Sequence, residues 1–457
     1  MRRCASSVAA VAVIALGGLP GANAASEATP RPPAGAALRA LSQPPAYSSL
    51  SAQRIYFVMP DRYANGDPAN DRGGLDGTRA VTGYDPADTG YYHGGDLKGL
   101  VGGCTTGDGL ARIRELGFTA LWVTPPVKQR PVIAGTAGYH GYWGLDFTTV
   151  DPHLGAEADF AALVECAHRL GMKVYLDVVV NHTADVILPT GGSSWAGDVP
   201  YRDCNGRVFD PARYAGGRTF PCLNARSFPR PPLVLAEERN LKRPEWLNDV
   251  TRYHNRGDVN WSSCSELCYE QGDVYGHDDL FTEQPVVVNG LAELWGSWIA
   301  RYKVDGFRVD TARHVDRAFF RVWVPRIMAA ARRAGVPDFQ LFGEVLLGSS
   351  IDLVPYVRDR GLPNLLDFPL QGALAGFAGG EVSARAVATR LADDDYFRLA
   401  DGRAPVPPTF LGNHDMGRAA FQLQERSRAS GNELLRRDLL AHDLLYLLRG
   451  APTVLYG

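Results

Sequence analysis

Charge of neither sign is in excess: 47 Lys and Arg stand against 50 Asp and Glu, a net −3 over 457 residues. So balanced a chain carries no electrostatic footprint for nucleic acid or an anionic membrane. Long apolar runs are missing as well. The N-terminal stretch 8–16 falls well short of the roughly 20 residues that cross a bilayer, and the rest of the chain offers no transmembrane candidate. Cysteine is sparse, seven in all. The four central ones, Cys204, Cys222, Cys264 and Cys268, do not form paired Cys-x-x-Cys knuckles, which argues against zinc.

What is present reads as an exported globular protein. Hydrophobic residues make up 45% of the chain, enough for a large core, and 50 Gly with 31 Pro point to many turns and long loops. Arg2 and Arg3 precede the short apolar stretch, and Ala22-Asn23-Ala24 is a small-residue cleavage site, so 1–24 reads as a signal peptide. Six cysteines then remain in an oxidising compartment. Cys204–Cys222 and Cys264–Cys268 are the expected bridges. Cys104 and Cys166 are left over, with Cys166 read as a buried thiol on a helix. Residues 25–50, with Pro30, Pro32, Pro33, Pro44 and Pro45, read as a linker.

Beyond it, apolar runs at 54–60, 120–126, 173–180, 306–310, 339–345, 365–370, 408–415 and 453–457 alternate with helical patterns, clearest at 156–171, 286–303, 316–334 and 431–449. The runs lack clean polar alternation, as parallel strands covered on both faces do. Eight such strands predict an α/β fold, a TIM (β/α)8 barrel. Its first part is expected over 51–183 and its second over 273–457, with a loop-rich subdomain inserted after strand 3 over 184–272. The sequence ends just after the last strand, so this reading contains neither a last barrel helix nor a C-terminal β-sandwich.

In a barrel, reacting groups come from the C-terminal ends of different strands. Asp177, Asn181 and His182 end the third strand. Arg308 and Asp310 end the fourth, followed by Arg313 and His314. Glu344 ends the fifth, and His414 and Asp415 the seventh. One acid at a strand end is often a helix cap; three carboxylates with three histidines and an arginine on one rim are not explained that way. Arg308 lies two residues before Asp310, so both face the same side of a strand. It can hold Asp310 ionised while Glu344 stays protonated, the pairing that retaining glycosidases use.

The blocks DVVVNH (177–182), GFRVDTARH (306–314), FGEV (342–345) and FLGNHD (410–415) resemble, in order and spacing, the four signature regions of the α-amylase family of glycoside hydrolases, and YHGYW (139–143) resembles that family's second-strand loop. The resemblance runs over about 50–457. It implies cleavage of α-1,4-glucosidic bonds in starch-like glucans, with Asp310 as nucleophile, Glu344 as acid and base, and Asp415 stabilising the transition state. It further implies that Arg308 orients Asp310, that Asp177 supports the site, and that His140, Tyr142, His182 and His414 bind the sugar being cleaved. Arg313 and His314 would contact the leaving-group side. A calcium ion would take Asn181, Asp279 and the His314 carbonyl. A second would sit in the loop of Asn65, Asp67, Asn70 and Asp71 with Gly94 and Asp96; an ordinary Asx-rich turn has the same composition. Trp195, Trp246 and Trp261 in the insert are either sugar platforms or filling for a small core. The expected partner is an α-glucan, with no nucleic acid and no membrane after signal cleavage, and the protein is expected to be a secreted monomer. A glucanotransferase or α-1,6-cleaving enzyme on the same fold is the alternative, and a non-catalytic glucan binder the third reading.

Overall fold

The computed structural model describes residues 48–399 and 402–456. The signal-peptide segment, and the expected linker up to residue 47, lie outside the described residues. Seven parallel strands form one curled sheet: β1 (Ile55–Val58), β2 (Ala120–Val123), β3 (Lys173–Val179), β4 (Gly306–Asp310), β5 (Gln340–Gly343), β6 (Pro408–Phe410) and β7 (Ala451–Leu455). Their order is β5-β4-β3-β2-β1-β7-β6.

The strand expected at 365–370 does not form, yet its place in the ring is filled. The Leu366 N–H donates to the Gly343 carbonyl (2.9 Å) on one side, and the Asp367 N–H donates to the Pro408 carbonyl (3.1 Å) on the other. These bonds link β5 to β6 and close the (β/α)8 barrel with one strand reduced to a single bridge at Leu365. Asp367 is the cause. Its carboxylate accepts the Leu370 N–H (3.0 Å), and Pro369 follows in the first turn, so extended backbone gives way to the helix Phe368–Gly379.

Strand parity divides the chemistry. Ile55, Phe57, Ala120, Trp122, Tyr175 and Phe342 point inward and fill the barrel with Leu366, Phe368 and Phe410. Tyr56, Val58, Leu121, Val123, Val174, Leu176, Phe307, Val309 and Leu341 point outward into the layer beneath the helices. Tyr175 pairs with Gly306 and Asp177 with Arg308, so Asp177, Arg308 and Asp310 continue the inward row beyond the apolar layers. The order is thus a packed plug below and charge above.

The expected helices are α1 (Glu157–Arg169), α2 (Pro285–Tyr302), α3 (Phe319–Arg333) and α4 (Gly431–Leu447). Helix α1 stops where Gly171 takes a left-handed φ of 70°, and the Met172 N–H returns to the Ala167 carbonyl (2.9 Å). No helix among the described residues is long and apolar enough to cross a membrane.

Cys204–Cys222 and Cys264–Cys268 are bonded as expected. Cys104–Cys166 is bonded too, correcting the reading of Cys166 as a thiol. The short helix Leu97–Val101 packs against α1 and carries Cys104 to within 5.7 Å (Cα–Cα) of Cys166. The insert is built of short antiparallel ribbons, Tyr201–Arg202 with Val208–Phe209 and Leu188–Pro189 with Pro232–Leu233, around a small aromatic core of Tyr201, Phe228 and Phe281. Its exit is stitched to the end of β3 by pairing of Asp279 with His182.

Candidate active site

The site is organised by one fully buried guanidinium. Arg308 Nη1 donates to Asp177 Oδ1 (2.8 Å) and Asp310 Oδ1 (2.6 Å), while Nη2 forms an ion pair with Glu344 Oε2 (2.9 Å). Three carboxylates from three adjacent strands therefore share one cation. Asp177 is fixed further by donors from Trp122 Nε1 (3.0 Å) and the Tyr142 hydroxyl (2.8 Å). Thr311, in left-handed backbone with φ 46°, turns the chain so that its N–H donates to Glu344 Oε2 (3.0 Å) and its hydroxyl to Asp310 Oδ2 (3.0 Å). Sequence reasoning passed over Trp122 and Thr311. The inward parity of Trp122 and the place of Thr311 directly after Asp310 were the signals available.

Asp177 has no solvent exposure and Asp310 only 7%. Burial raises both carboxyls, and Arg308 opposes the shift. For Glu344 burial also dominates; the Asp310 and Asp415 charges add to it against Arg308, and its pKa rises to about 7. Asp415 stands apart at the open end, its side chain 58% exposed; the enclosing walls still push its carboxyl upward against the pull of Arg308. Asp310 takes Arg308 Nη1 beside Asp177 while Glu344 takes Nη2, so two neighbouring carboxyls meet one cation on different nitrogens, an arrangement that can keep one ionised and the other protonated.

The remaining expected sugar ligands gather on the same rim. His414 stacks on Tyr142 (5.2 Å between centroids), and His140 stacks near it (5.6 Å). Burial lowers the pKa of His140 and His414 to about 3 and that of His182 to about 4, so these rings are neutral donors and acceptors at pH 7. Arg313 and His314 lie one turn beyond Asp310, Arg313 against Glu266 and Tyr269. Of the three insert tryptophans, Trp246 packs on the main core and Trp195 lies under Arg256, while Trp261 is 47% exposed beside Tyr275.

No cluster of three or more His, Cys, Asp or Glu converges as a metal centre among the described residues; a calcium site built from amides and carbonyls needs no such cluster. The first expected site fits a cation on hydrogen-bond logic. Neutral His182 donates from Nε2 to the Tyr142 carbonyl (3.0 Å), so its Nδ1 is an acceptor. The Asn181 amide lies 2.7 Å from that nitrogen and reaches the Asp279 carboxylate on its other side, whose Oδ1 is buried without a hydrogen-bond partner. A buried carboxylate oxygen left without a donor beside a side-chain amide fits a cation. Asp279 Oδ2 is already paired with His254, which also meets Glu283 (2.8 Å). The second site divides. Asn65 and Asp71 meet (2.7 Å) beside Gly94, and Asn70 Oδ1 is orphaned. Asp67 pairs with Lys98 (2.5 Å). Asp96 accepts N–H groups from Gly66, Asp67 and Gly99 as the cap of the following short helix, so both carboxylates already have partners.

The profile described as alpha amylase, catalytic domain, matches residues 57–457. An alpha-amylase of Streptomyces lividans is 42% identical over 98% of this chain and 49% of its own length. A cyclomaltodextrin glucanotransferase of Klebsiella oxytoca is 27% identical over 90% of the chain and 58% of its own length. The chain thus spans about half the length of these curated relatives. The crystal structure of an Anoxybacillus alpha-amylase superposes with a TM-score of 0.65 at 28% identity, covering 90% of this chain and 71% of that one.

Proposed function

The chain belongs to the α-amylase family of glycoside hydrolases, and on that premise we propose that it hydrolyses α-1,4-glucosidic bonds in starch-like glucans with retention of configuration. The observation that carries this reading is the sharing of Arg308 by Asp310 and Glu344, with Asp415 facing them from the seventh strand position.

Arg308 stabilises the carboxylate form of Asp310, and Asp310 attacks the anomeric carbon. Glu344, protonated near neutrality, gives its proton to the departing glycosidic oxygen. The glucosyl-aspartate ester then forms, and Glu344, now a base, takes a proton from water as it displaces Asp310. Asp415 binds ring hydroxyls as positive charge develops, and the neutral rings of His140 and His414 donate to the same sugar, while His182, whose one N–H is given to the Tyr142 carbonyl, lines that subsite and holds Tyr142 in place. Tyr142 supplies a stacking face. Asp177 does not react: its contacts to Arg308, Trp122 and Tyr142 hold the guanidinium in place.

Calcium would be held by Asn181, Asp279 and the His314 carbonyl, and in the N-terminal loop by Asn65, Asn70, Asp71 and Gly94. Its contribution is structural, neutralising buried oxygens where the insert meets the barrel. Export fits the N-terminal pattern and the three disulfides.

The test is product analysis after incubation with soluble starch and calcium. Linear maltooligosaccharides of retained configuration are expected. Cyclic products or chains longer than the substrate would replace hydrolysis by glucan transfer, and release confined to branch points would replace α-1,4 by α-1,6 cleavage.

A further inference from the structure

Arg313 is held more tightly than a surface arginine needs to be. Its guanidinium lies 3.8 Å over the Tyr269 ring, and Nη2 donates to Glu266 Oε1 (2.9 Å). Both partners stand on the six-residue helix Glu266–Gln271 of the insert. That helix is capped by Ser265, which accepts the Cys268 N–H (3.3 Å), and its first turn is closed covalently by Cys264–Cys268. From the far side Arg360, just past the helix Ser350–Arg358 that follows β5, reaches Glu270 (3.0 Å) and approaches Glu266 (3.9 Å). The same lobe holds His314 edge-on to Tyr269 (5.8 Å).

The Glu266 side chain is 46% exposed and that of Arg313 18%, and an ion pair with one partner open to water adds little to stability. What it does fix is direction. A ring below and a carboxylate on Nη2 leave a planar guanidinium one orientation, and its Nε is buried there without a hydrogen-bond partner. Arg313 lies three residues past Asp310, where the resemblance assigns the leaving-group side.

We propose that Glu266 and Tyr269, on the disulfide-closed helix of the insert, are positioning residues that set Arg313 to receive the departing α-glucan chain. This rests on the function proposed above. It makes the insert, rather than the barrel rim alone, the determinant of how the leaving chain is gripped.

The experiment compares two substrates. Maltoheptaose places sugars on the leaving-group side; a nitrophenyl α-maltotrioside cleaved at its aryl group places none there. For Glu266→Gln and Tyr269→Ala, kcat/KM on maltoheptaose is expected to fall roughly tenfold, the scale of one misdirected charged contact. On the aryl substrate both variants stay within about twofold of the parent, and the melting temperature does not move. Tyr269→Phe, which keeps the ring, restores parent behaviour on maltoheptaose. Cys264→Ser with Cys268→Ser reproduces the Glu266→Gln pattern in weaker form. Equal losses on both substrates would make the lobe merely structural and overturn the inference, as would no loss on either. A parent protein inert on both substrates would overturn the proposed function and this inference together.

Discussion

Replacing Arg308 by Lys keeps the charge and removes the fork. The guanidinium reaches Asp177 and Asp310 through Nη1 and Glu344 through Nη2. An ammonium is a single point, so at best it occupies the Nη1 position and leaves Glu344 unpaired. Losing one buried charge-assisted contact costs about 2 kcal/mol, equal to about 1.5 pKa units at 1.36 kcal/mol each. The sign is set by what Arg308 does now: it lowers Glu344 against burial and lowers Asp310 likewise. Without the Nη2 contact the Glu344 carboxyl rises, while Asp310 keeps a cation beside it. The acid limb of kcat/KM, which requires ionised Asp310, stays where it is. The alkaline limb, which requires protonated Glu344 and is expected near pH 7 in the parent from its pKa of about 7, moves to higher pH by about 1.5 units. The bell therefore widens on its alkaline side while its maximum falls about a hundredfold through loss of the forked alignment. The assay is kcat/KM on maltoheptaose across pH, with thermal unfolding to establish that the variant is folded. An alkaline limb that stays in place, or moves to lower pH with normal turnover, would refute the shared-cation reasoning.

Asp310→Asn is expected to lower turnover by several orders of magnitude with little change in melting temperature, because a neutral amide still accepts from Arg308; near-parent activity would remove the nucleophile assignment. Glu344→Gln should abolish the alkaline limb and spare nitrophenyl substrates relative to starch in the first step, since an activated leaving group needs no proton; a retained limb near pH 7 would place the acid elsewhere. Cys104→Ala with Cys166→Ala opens a covalent loop spanning a sequence separation of 62, worth about 4 kcal/mol by chain entropy, and should lower the melting temperature measurably; no change would mean the short helix and α1 hold together unaided. Excess EDTA should lower the melting temperature, and Asp279→Ala should remove most of that response if the ion between insert and barrel dominates it; a parent indifferent to chelation argues against both calcium sites.

The legible part of the molecule is the part governed by local period and strand parity. Arg308 and Asp310 could be set on one face from their spacing alone, and the paired register of β3 and β4 puts Asp177 beside them. The 365–370 run misled because its apolar residues are buried as a strand's would be, while the deciding signal is a single capping carboxylate, Asp367. The Cys104–Cys166 bond was hidden by distance in sequence, since only the docking of a short helix on α1 brings the two together. Thr311 escaped because its role depends on a left-handed turn, which no β-branched residue announces.

The same limit explains why the insert was the least legible region. Its contacts with Arg313 and Arg360 are made by Glu266, Tyr269 and Glu270 on one short helix, and none of these belongs to a periodic pattern. Barrel strands position Asp310 and Glu344 through a backbone ladder that tolerates little variation. The insert positions Arg313 through side chains alone. A change of one residue there can redirect the guanidinium without disturbing the catalytic carboxylates or the core. On this arrangement the bond-breaking chemistry and the grip on the leaving chain are separable by mutation, and substitutions in 260–275 should alter product length while leaving the pH profile of hydrolysis where Arg308 sets it.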